Sequence, residues 1–170
     1  TLFSWRRGGL FYRIFNAIMV GVTYALAGRY ELADRHLTEG LDLAEEAGNR
    51  YFAAGARFQR AFSRLRSGDK VGCAEDIGQS LTAMRERSMT YFFGWSPAVA
   101  KDVLGEAVRQ EIEIDFARRL AKETIGIGLH DDGSFVPLLE VRTMGALEVG
   151  VCAELKCADQ DFTPLQREFW

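Results

Sequence analysis

Cysteine and histidine are scarce in this chain of 170 residues, which holds three cysteines and two histidines. The cysteines are Cys73, Cys152 and Cys157. Their odd number, in a chain that lacks a signal peptide, favours a reducing cytoplasm over a disulfide-stabilised secreted domain. Cys152 and Cys157 have no second pair of ligand residues at zinc spacing, so we expect no metal site. A thiol enzyme that uses these two cysteines is the least favoured of three functional hypotheses.

The chain also lacks an uninterrupted apolar run long enough to span a bilayer. The longest candidate is residues 10–27, LFYRIFNAIMVGVTYALA, which Arg13 and Asn16 interrupt. A helix that is apolar on most sides is typical of one buried between neighbouring helices. We therefore expect a cytoplasmic protein with no membrane association.

Motifs for catalysis are absent as well. The sequence has no glycine-rich phosphate loop, no serine elbow and no H-E-x-x-H motif. Acid pairs such as Glu45-Glu46 are typical of solvated surface, since general acid–base work needs a pocket that shifts the pKa. The net charge of −3 disfavours general binding of polyanions. These absences predict a non-catalytic region without a cofactor.

Hydrophobic residues make up 48% of the chain, which predicts a globular fold. Basic residues outnumber acidic ones by 13 to 10 in residues 1–92, whereas acidic residues outnumber basic ones by 14 to 8 in residues 93–170. This change makes residue 93 a position at which to test for a structural boundary. The chain opens at Thr1 and ends on the apolar pair Phe169-Trp170, so we expect it to be a piece of a longer protein.

Helical periodicity covers the first two thirds of the chain. Apolar residues recur at intervals of three and four positions, and Gly28 and Gly68 end the first and third of the predicted helices. The two glycines are 40 residues apart, which is typical of stacked helical hairpins. The predicted helices are an apolar helix that ends at Gly28, followed by residues 30–47, 51–66, 70–87, 97–110 and 115–123.

The pattern changes after these helices. Residues 125–137 show no apolar period and include three glycines and two aspartates, which predicts an irregular linker. Apolar and polar residues then alternate over 139–143 and 147–151, which predicts a β-hairpin turning at Met144-Gly145. A third strand is predicted over 153–157, and Thr163-Pro164 predicts the start of a helix at Leu165.

The predicted fold is therefore mainly α, with stacked antiparallel helical hairpins and a short β-hairpin segment near the C-terminus. The predicted domains are helical repeats with a closing helical unit over 1–124, a linker over 125–137, and the start of a second domain over 138–170.

An arginine stripe is the sharpest candidate site. Arg57, Arg60 and Arg64 follow spacings of three and four on one helix, with Arg66 nearby. Forked guanidinium groups in a groove would bind an anionic ligand or an acidic partner segment. The alternative is a solvated face whose charges are neutralised by neighbouring acids. The candidate neutralising acids are Asp69, Glu75 and Asp76.

Apolar residues on the first and third helices are candidates for the wall of a concave binding surface. The alternative role for each of them is core packing. These candidates are Phe15, Ile18, Val22, Phe58 and Phe62.

Three segments carry a resemblance to a known family. Residues 28–47, GRYELADRHLTEGLDLAEEA, resemble the second half of a tetratricopeptide-like repeat of the MalT-like and LuxR-type large transcriptional regulators. Residues 92–123, FFGWSPAVAKDVLGEAVRQEIEIDFARRLAKE, resemble the segment that closes the repeat array in that family. Residues 137–149, PLLEVRTMGALEV, resemble the opening strands of an OmpR-like winged-helix domain, whose first helix would begin within residues 162–168.

In such regulators a nucleotide-binding switch domain precedes the repeats, the repeats sense an inducer or partner, and the winged domain binds promoter DNA. The resemblance implies that this chain is the sensor and interaction region, arranged as a tetratricopeptide-like superhelix. Its partner would be an inducer or a protein segment in the repeat groove, and DNA would be contacted only through regions missing from this chain. The alternative is a stand-alone adaptor unconnected with transcription. An exposed end of the repeat array also favours self-association.

Overall fold

The structure, a computed structural model, describes residues 9–137, 139–142, 148–151 and 154–157, with side chains through residue 137. Each helix packs on the next within the pairs α1–α2, α2–α3, α3–α4 and α5–α6. Short turns join these neighbours and make them antiparallel, which confirms the prediction of a mainly α fold of stacked helical hairpins. The helices within the described residues are α1 (Leu10–Leu26), α2 (Tyr30–Glu46), α3 (Arg50–Ser67), α4 (Lys70–Glu86), α5 (Pro97–Arg109) and α6 (Ile114–Ile125).

Local chemistry explains where the repeat helices stop and start. Gly28 and Gly68 follow the ends of α1 and α3 with φ of +74° and +89°, a left-handed conformation that favours glycine. Asn49 and Asp69 then cap α3 and α4 by accepting backbone hydrogen bonds from Phe52 and Gly72. The 40-residue period in the sequence therefore reflects a glycine that ends the helix at the same place in both hairpins.

Helices α1 and α2 approach closely because glycines lie at their crossing. A methyl group on Gly21 would lie 2.6 Å from Leu37 Cγ, and one on Gly40 would lie 2.7 Å from Ile18 Cγ1 and 3.2 Å from the Ile18 backbone nitrogen. Both Leu37 and Ile18 are buried, so neither side chain can swing into solvent to make room.

We expect Gly40→Ala to lower the free energy of unfolding by about 1–2 kcal/mol, because overpacking outweighs the gain in helix propensity. Gly78→Ala in α4 is the matched control, since its new methyl group would lie 3.8 Å from Ile112. That control should leave stability unchanged or raise it by up to about 1 kcal/mol. Urea denaturation followed by circular dichroism measures both, and equal stability of the two variants would contradict the close packing.

The prediction of an irregular linker over residues 125–137 is wrong in its local structure. Strand β1 (Ile127–Leu129) pairs antiparallel with β2 (Phe135–Pro137), and α6 continues to Ile125. Leu129 is buried, and Lys101 of α5 lies over the Phe135 ring at 4.3 Å from its centroid. The hairpin is therefore packed on the closing helical unit. Each strand has only three residues, which is too short for an alternating pattern to be recognised beside the glycine and aspartate residues of the turn. The sequence pattern therefore indicated a loop.

A second, three-stranded antiparallel sheet has the order β3-β4-β5. Its strands are β3 (Leu139–Arg142), β4 (Glu148–Val151) and β5 (Glu154–Cys157), as the alternation predicts. The predicted turn at Met144-Gly145 and the predicted helix from Leu165 lie outside the described residues.

The change in charge near residue 93 does not coincide with a boundary in the structure. The segment between α4 and α5 carries Phe92, which is 5% exposed and belongs to the same buried cluster as residues of α1 and α6. One core therefore runs through the helices on both sides of the change in charge. Among the described residues, no helix has the length and apolar character needed to cross a membrane.

Candidate binding surface

The arginine stripe of α3 is held by carboxylates of the chain itself. Arg60 forms a bidentate pair with Asp76 of α4, with Nε–Oδ2 at 2.8 Å and Nη2–Oδ1 at 2.7 Å, and its Nη1 donates to Thr38 of α2 at 2.9 Å. Asp76 is 1% exposed. Burial lowers the pKa of the Arg60 guanidinium, but the hydrogen bonds and charge of Asp76 outweigh it and hold that pKa above its usual value.

Arg64 and Arg57 are engaged in the same way. Arg64 Nε donates to Asp34 of α2 at 2.9 Å, and its Nη1 lies 3.1 Å from Asp76 Oδ2. Arg57 pairs with Glu45 of α2. An anionic ligand at this stripe would have to displace carboxylates that already bind it. The stripe therefore cross-links α2, α3 and α4, and ligand binding at Arg57, Arg60 and Arg64 stays a prediction.

Three acids were candidates for neutralising the stripe, and one of them, Asp76, forms the bidentate pair with Arg60. Asp69 lies 3.7 Å from Arg64, whereas Glu75 accepts a hydrogen bond from Gln79. Arg66, next to the stripe, pairs with Asp102 of α5.

The apolar candidates lie inside the molecule. Ile18, Val22, Phe58 and Phe62 are buried, and Phe15 is half-buried against the same core. Their role as the wall of a concave binding surface stays a prediction, and four of the five side chains are buried in the core.

A segment of the chain fills the space between α1 and α3. We call residues 89–96, which precede α5, the groove loop. The ring of Phe93 lies 5.4 Å from that of Phe15, and a methyl group on Gly94 would lie 3.2 Å from Val22 Cγ2. Gln59 of α3 donates from Nε2 to the Gly94 carbonyl at 2.6 Å. The groove loop thus occupies the position that a bound peptide would take in an open groove.

Aromatic side chains project from this loop and from its neighbours into solvent. Rings contact one another across the elements, with centroid distances of 5.2 Å for Phe11–Phe52 and 6.1 Å for Tyr51–Phe93. Large aromatic rings left about half-exposed side by side are typical of protein interaction sites. We define the aromatic surface as Phe11, Tyr12, Tyr51, Tyr91 and Phe93, which are 51%, 61%, 38%, 54% and 47% exposed.

A basic cleft of about 600 Å³ adjoins the aromatic surface at Tyr51. Arg50, the first residue of α3, and Arg87, which follows α4, line it together with Met89 of the groove loop. Both arginines are exposed, and neither takes part in an ion pair among the described side chains. The amino end of α3 adds its positive dipole. The cleft lining includes no carboxylate within the described part of the chain, so this edge of the aromatic surface attracts anions.

The sequence analysis missed the aromatic surface and the basic cleft. The available signal was the run Tyr91-Phe92-Phe93-Gly94-Trp95, which holds more aromatic area than a short loop can bury. Arg50 and Arg87 carried no signal, because they belong to different helix ends and only the fold brings them together.

Among the described side chains, Cys73 is not an activated thiol, whereas Cys152 and the side chain of Cys157, on which the thiol-enzyme hypothesis rests, lie outside the described residues. Burial raises the pKa of the Cys73 thiol to about 12, and the charges of Glu106, Asp76 and Asp69 add to that effect, so the thiol stays protonated at neutral pH. Within residues 9–137, no group of three or more His, Cys, Asp or Glu side chains is arranged to hold a metal ion.

The chain matches no model of a known protein family, no curated protein and no solved structure at a significant level. The resemblance of residues 28–47 and 92–123 to the MalT-like regulators, and of residues 137–149 to an OmpR-like winged-helix domain, therefore stays a prediction. Function has to be argued from the surface chemistry of the described residues.

Proposed function

We propose that this chain is the sensor and protein-interaction region of a cytoplasmic transcriptional regulator. It is a non-catalytic helical-repeat array that binds a segment of a partner protein and transmits that binding to a DNA-binding domain. The observation that carries the proposal is the aromatic surface, whose five rings are 38–61% exposed and one of which, Tyr51, also lines the basic cleft.

The chemistry of this region defines the partner segment. Phe11, Tyr51 and Phe93 offer apolar ring faces, so the segment supplies aliphatic or aromatic side chains that bury them. Arg50 and Arg87 at the edge favour a segment that also carries Asp or Glu residues. An amphipathic acidic segment meets both requirements.

The position of the surface suggests how binding is transmitted. Tyr91 and Phe93 belong to the groove loop, which leads directly into α5. A partner that contacts these rings favours one position of the loop and hence one placement of the closing unit. This is a shift between two populated arrangements, driven by the difference in partner affinity between them. The transcriptional context rests on the sequence resemblance, while the aromatic surface and cleft support the binding role.

Chromatin immunoprecipitation and transcript profiling in the source cells test the proposal. The natural gene product is tagged at its chromosomal locus and compared with a gene deletion. We expect discrete promoters to be occupied and the corresponding transcripts to change in the deletion strain. Absence of promoter-specific occupancy would overturn the regulator and leave the adaptor alternative.

The double variant Tyr51→Ser/Phe93→Ser tests the surface in the same strains. It should reproduce the transcript changes of the deletion although the protein accumulates normally. Val71→Ser is the matched control, because Val71 is 81% exposed and lies on α4, outside the aromatic surface. Wild-type transcripts in the double variant, or equal effects of both variants, would contradict partner binding at the aromatic surface.

A further inference from the structure

A second cleft lies between α6 and the β1–β2 hairpin, away from the aromatic surface and the arginine stripe. Its volume is about 780 Å³, within the range of small-molecule sites. Helix α6 contributes Arg118, Arg119 and Lys122, and the hairpin contributes Leu129 and Val136. The cleft thus brings the cations of α6 close to apolar side chains of the hairpin strands.

The arrangement of the basic wall follows from the helix period. Phe116 and Leu120 bury the inner face of α6 against the core. Arg118 and Lys122 are one turn apart on the other side, and Arg119 stacks its guanidinium over the Phe116 ring at 5.1 Å from the centroid. Three cations therefore lie within five consecutive residues beside the cleft.

Most of this positive charge is available to a ligand. Arg119 and Lys122 take part in no ion pair among the described side chains. Arg118 pairs through Nη2 with Asp131, whose side chain is 99% exposed, and such a solvated pair contributes little stability. The Nε of Arg118 is buried and finds no acceptor within the described part of the chain.

Two carboxylates and one histidine complete the lining. Glu123 follows Lys122 on α6, and Asp131 and His130 lie at the hairpin turn. Cations exceed carboxylates by one even when His130 is counted as neutral, so the cleft keeps a net positive charge. Its carboxylates disfavour a highly charged polyanion, which would lie against them.

The strands of the hairpin contribute apolar side chains to the cleft. Leu129 is 8% exposed, and Val136 is half-buried beside it. A cation wall by itself would suit an inorganic ion, and cations near the carboxyl end of a helix also offset its dipole. Neither role needs the apolar side chains of Leu129 and Val136. An amphipathic anion would contact the cations and these apolar side chains together.

We propose that this cleft binds a small organic anion, whose carboxylate or phosphate ester pairs with Arg119 and Lys122 and whose apolar body lies against Leu129 and Val136. The unsatisfied Arg118 Nε supplies a further donor to the anionic group. The site uses none of the residues of the aromatic surface, so it stands independently of the proposed partner binding.

Titration of the ¹⁵N-labelled 170-residue chain by two-dimensional NMR tests the site. The probes are phenyl phosphate, 4-phenylbutyrate, inorganic phosphate and 2-phenylethanol. We expect saturable shifts confined to α6 and the β1–β2 hairpin with at least one of the two organic anions, and the better of them identifies the anionic group. Inorganic phosphate and 2-phenylethanol should bind at least about tenfold more weakly, since each lacks half of the interaction.

The double variant Arg119→Gln/Lys122→Gln should weaken binding of the preferred probe at least about tenfold. Both positions are exposed, so the fold is retained. Arg35→Gln on α2 is the control, because Arg35 is exposed and lies outside this cleft, and it should bind as wild type does. The proposal is overturned by unsaturable shifts, by equal affinity for inorganic phosphate and the organic anions, or by equal loss in Arg35→Gln.

Discussion

Replacement of Asp76 by asparagine should lower the free energy of unfolding by about 3–5 kcal/mol. The Asp76 carboxylate is 1% exposed and accepts both hydrogen bonds of the Arg60 fork, and its Oδ2 also lies 3.1 Å from Arg64 Nη1. Asparagine keeps the volume but removes the charge, so two partly buried guanidinium groups lose their shared counter-charge. Urea denaturation at neutral pH, followed by circular dichroism, measures the change.

Glu45→Gln provides the comparison, because Glu45 binds an arginine of the same stripe from an exposed position. Solvent screens that pair, so the change in the free energy of unfolding should stay below about 1 kcal/mol. A stability of Asp76→Asn equal to that of Glu45→Gln would show that the arginine stripe is a solvated face. The cross-link between α2, α3 and α4 would then be discarded.

Phe92→Ala has the second large expected effect, a decrease of about 3–5 kcal/mol in the free energy of unfolding. The Phe92 ring lies 5.2 Å from that of Phe58 and 5.1 Å from that of Trp95. Gly55 of α3 lets it approach the helix backbone, since a methyl group there would lie 3.1 Å from the ring. The truncation leaves a cavity that α3 is too rigid to close. Guanidinium denaturation of the variant measures the loss.

Phe93→Ala is the comparison for Phe92→Ala, because it truncates the exposed neighbour of the buried ring. Phe93 is 47% exposed, so its truncation should cost only about 1 kcal/mol. A larger loss of unfolding free energy in Phe93→Ala than in Phe92→Ala would mean that the exposed ring of Phe93 anchors the groove loop. Phe92→Ala should also expose the apolar wall around Phe58, which increased fluorescence of a bound hydrophobic dye would report.

The sequence was informative wherever a local rule governs the structure. Gly28 and Gly68 mark helix ends because left-handed backbone favours glycine, and that preference is visible without any neighbour. The strands β3 and β4 were predicted because alternation over four or more residues is also local. The hairpin over 125–137 was missed because its strands are shorter than any reliable period.

The candidate site depended on long-range pairing, and here the sequence was less informative. Helical spacing identified the stripe of Arg57, Arg60 and Arg64, but nothing in that spacing shows that Asp34 of α2 meets it. The groove loop has no periodicity at all, so its position between α1 and α3 could not be read from its residues. The arginine stripe can be predicted from the residue spacing in α3 alone. The acids that neutralise it lie on α2 and α4, so they can be identified only once the fold is known.

Repeat arrays in which each unit contacts only its neighbours lose structure from their ends, one unit at a time. The groove loop departs from that scheme, because its Phe93 contacts Phe15 of the first hairpin. Fraying of the N-terminal hairpin would therefore remove one contact of the segment that leads into α5, while Phe92 still holds that segment on α3. We expect this contact, distant in sequence, to make the unfolding of the first and last helical units more cooperative, at the cost of slower closure during folding.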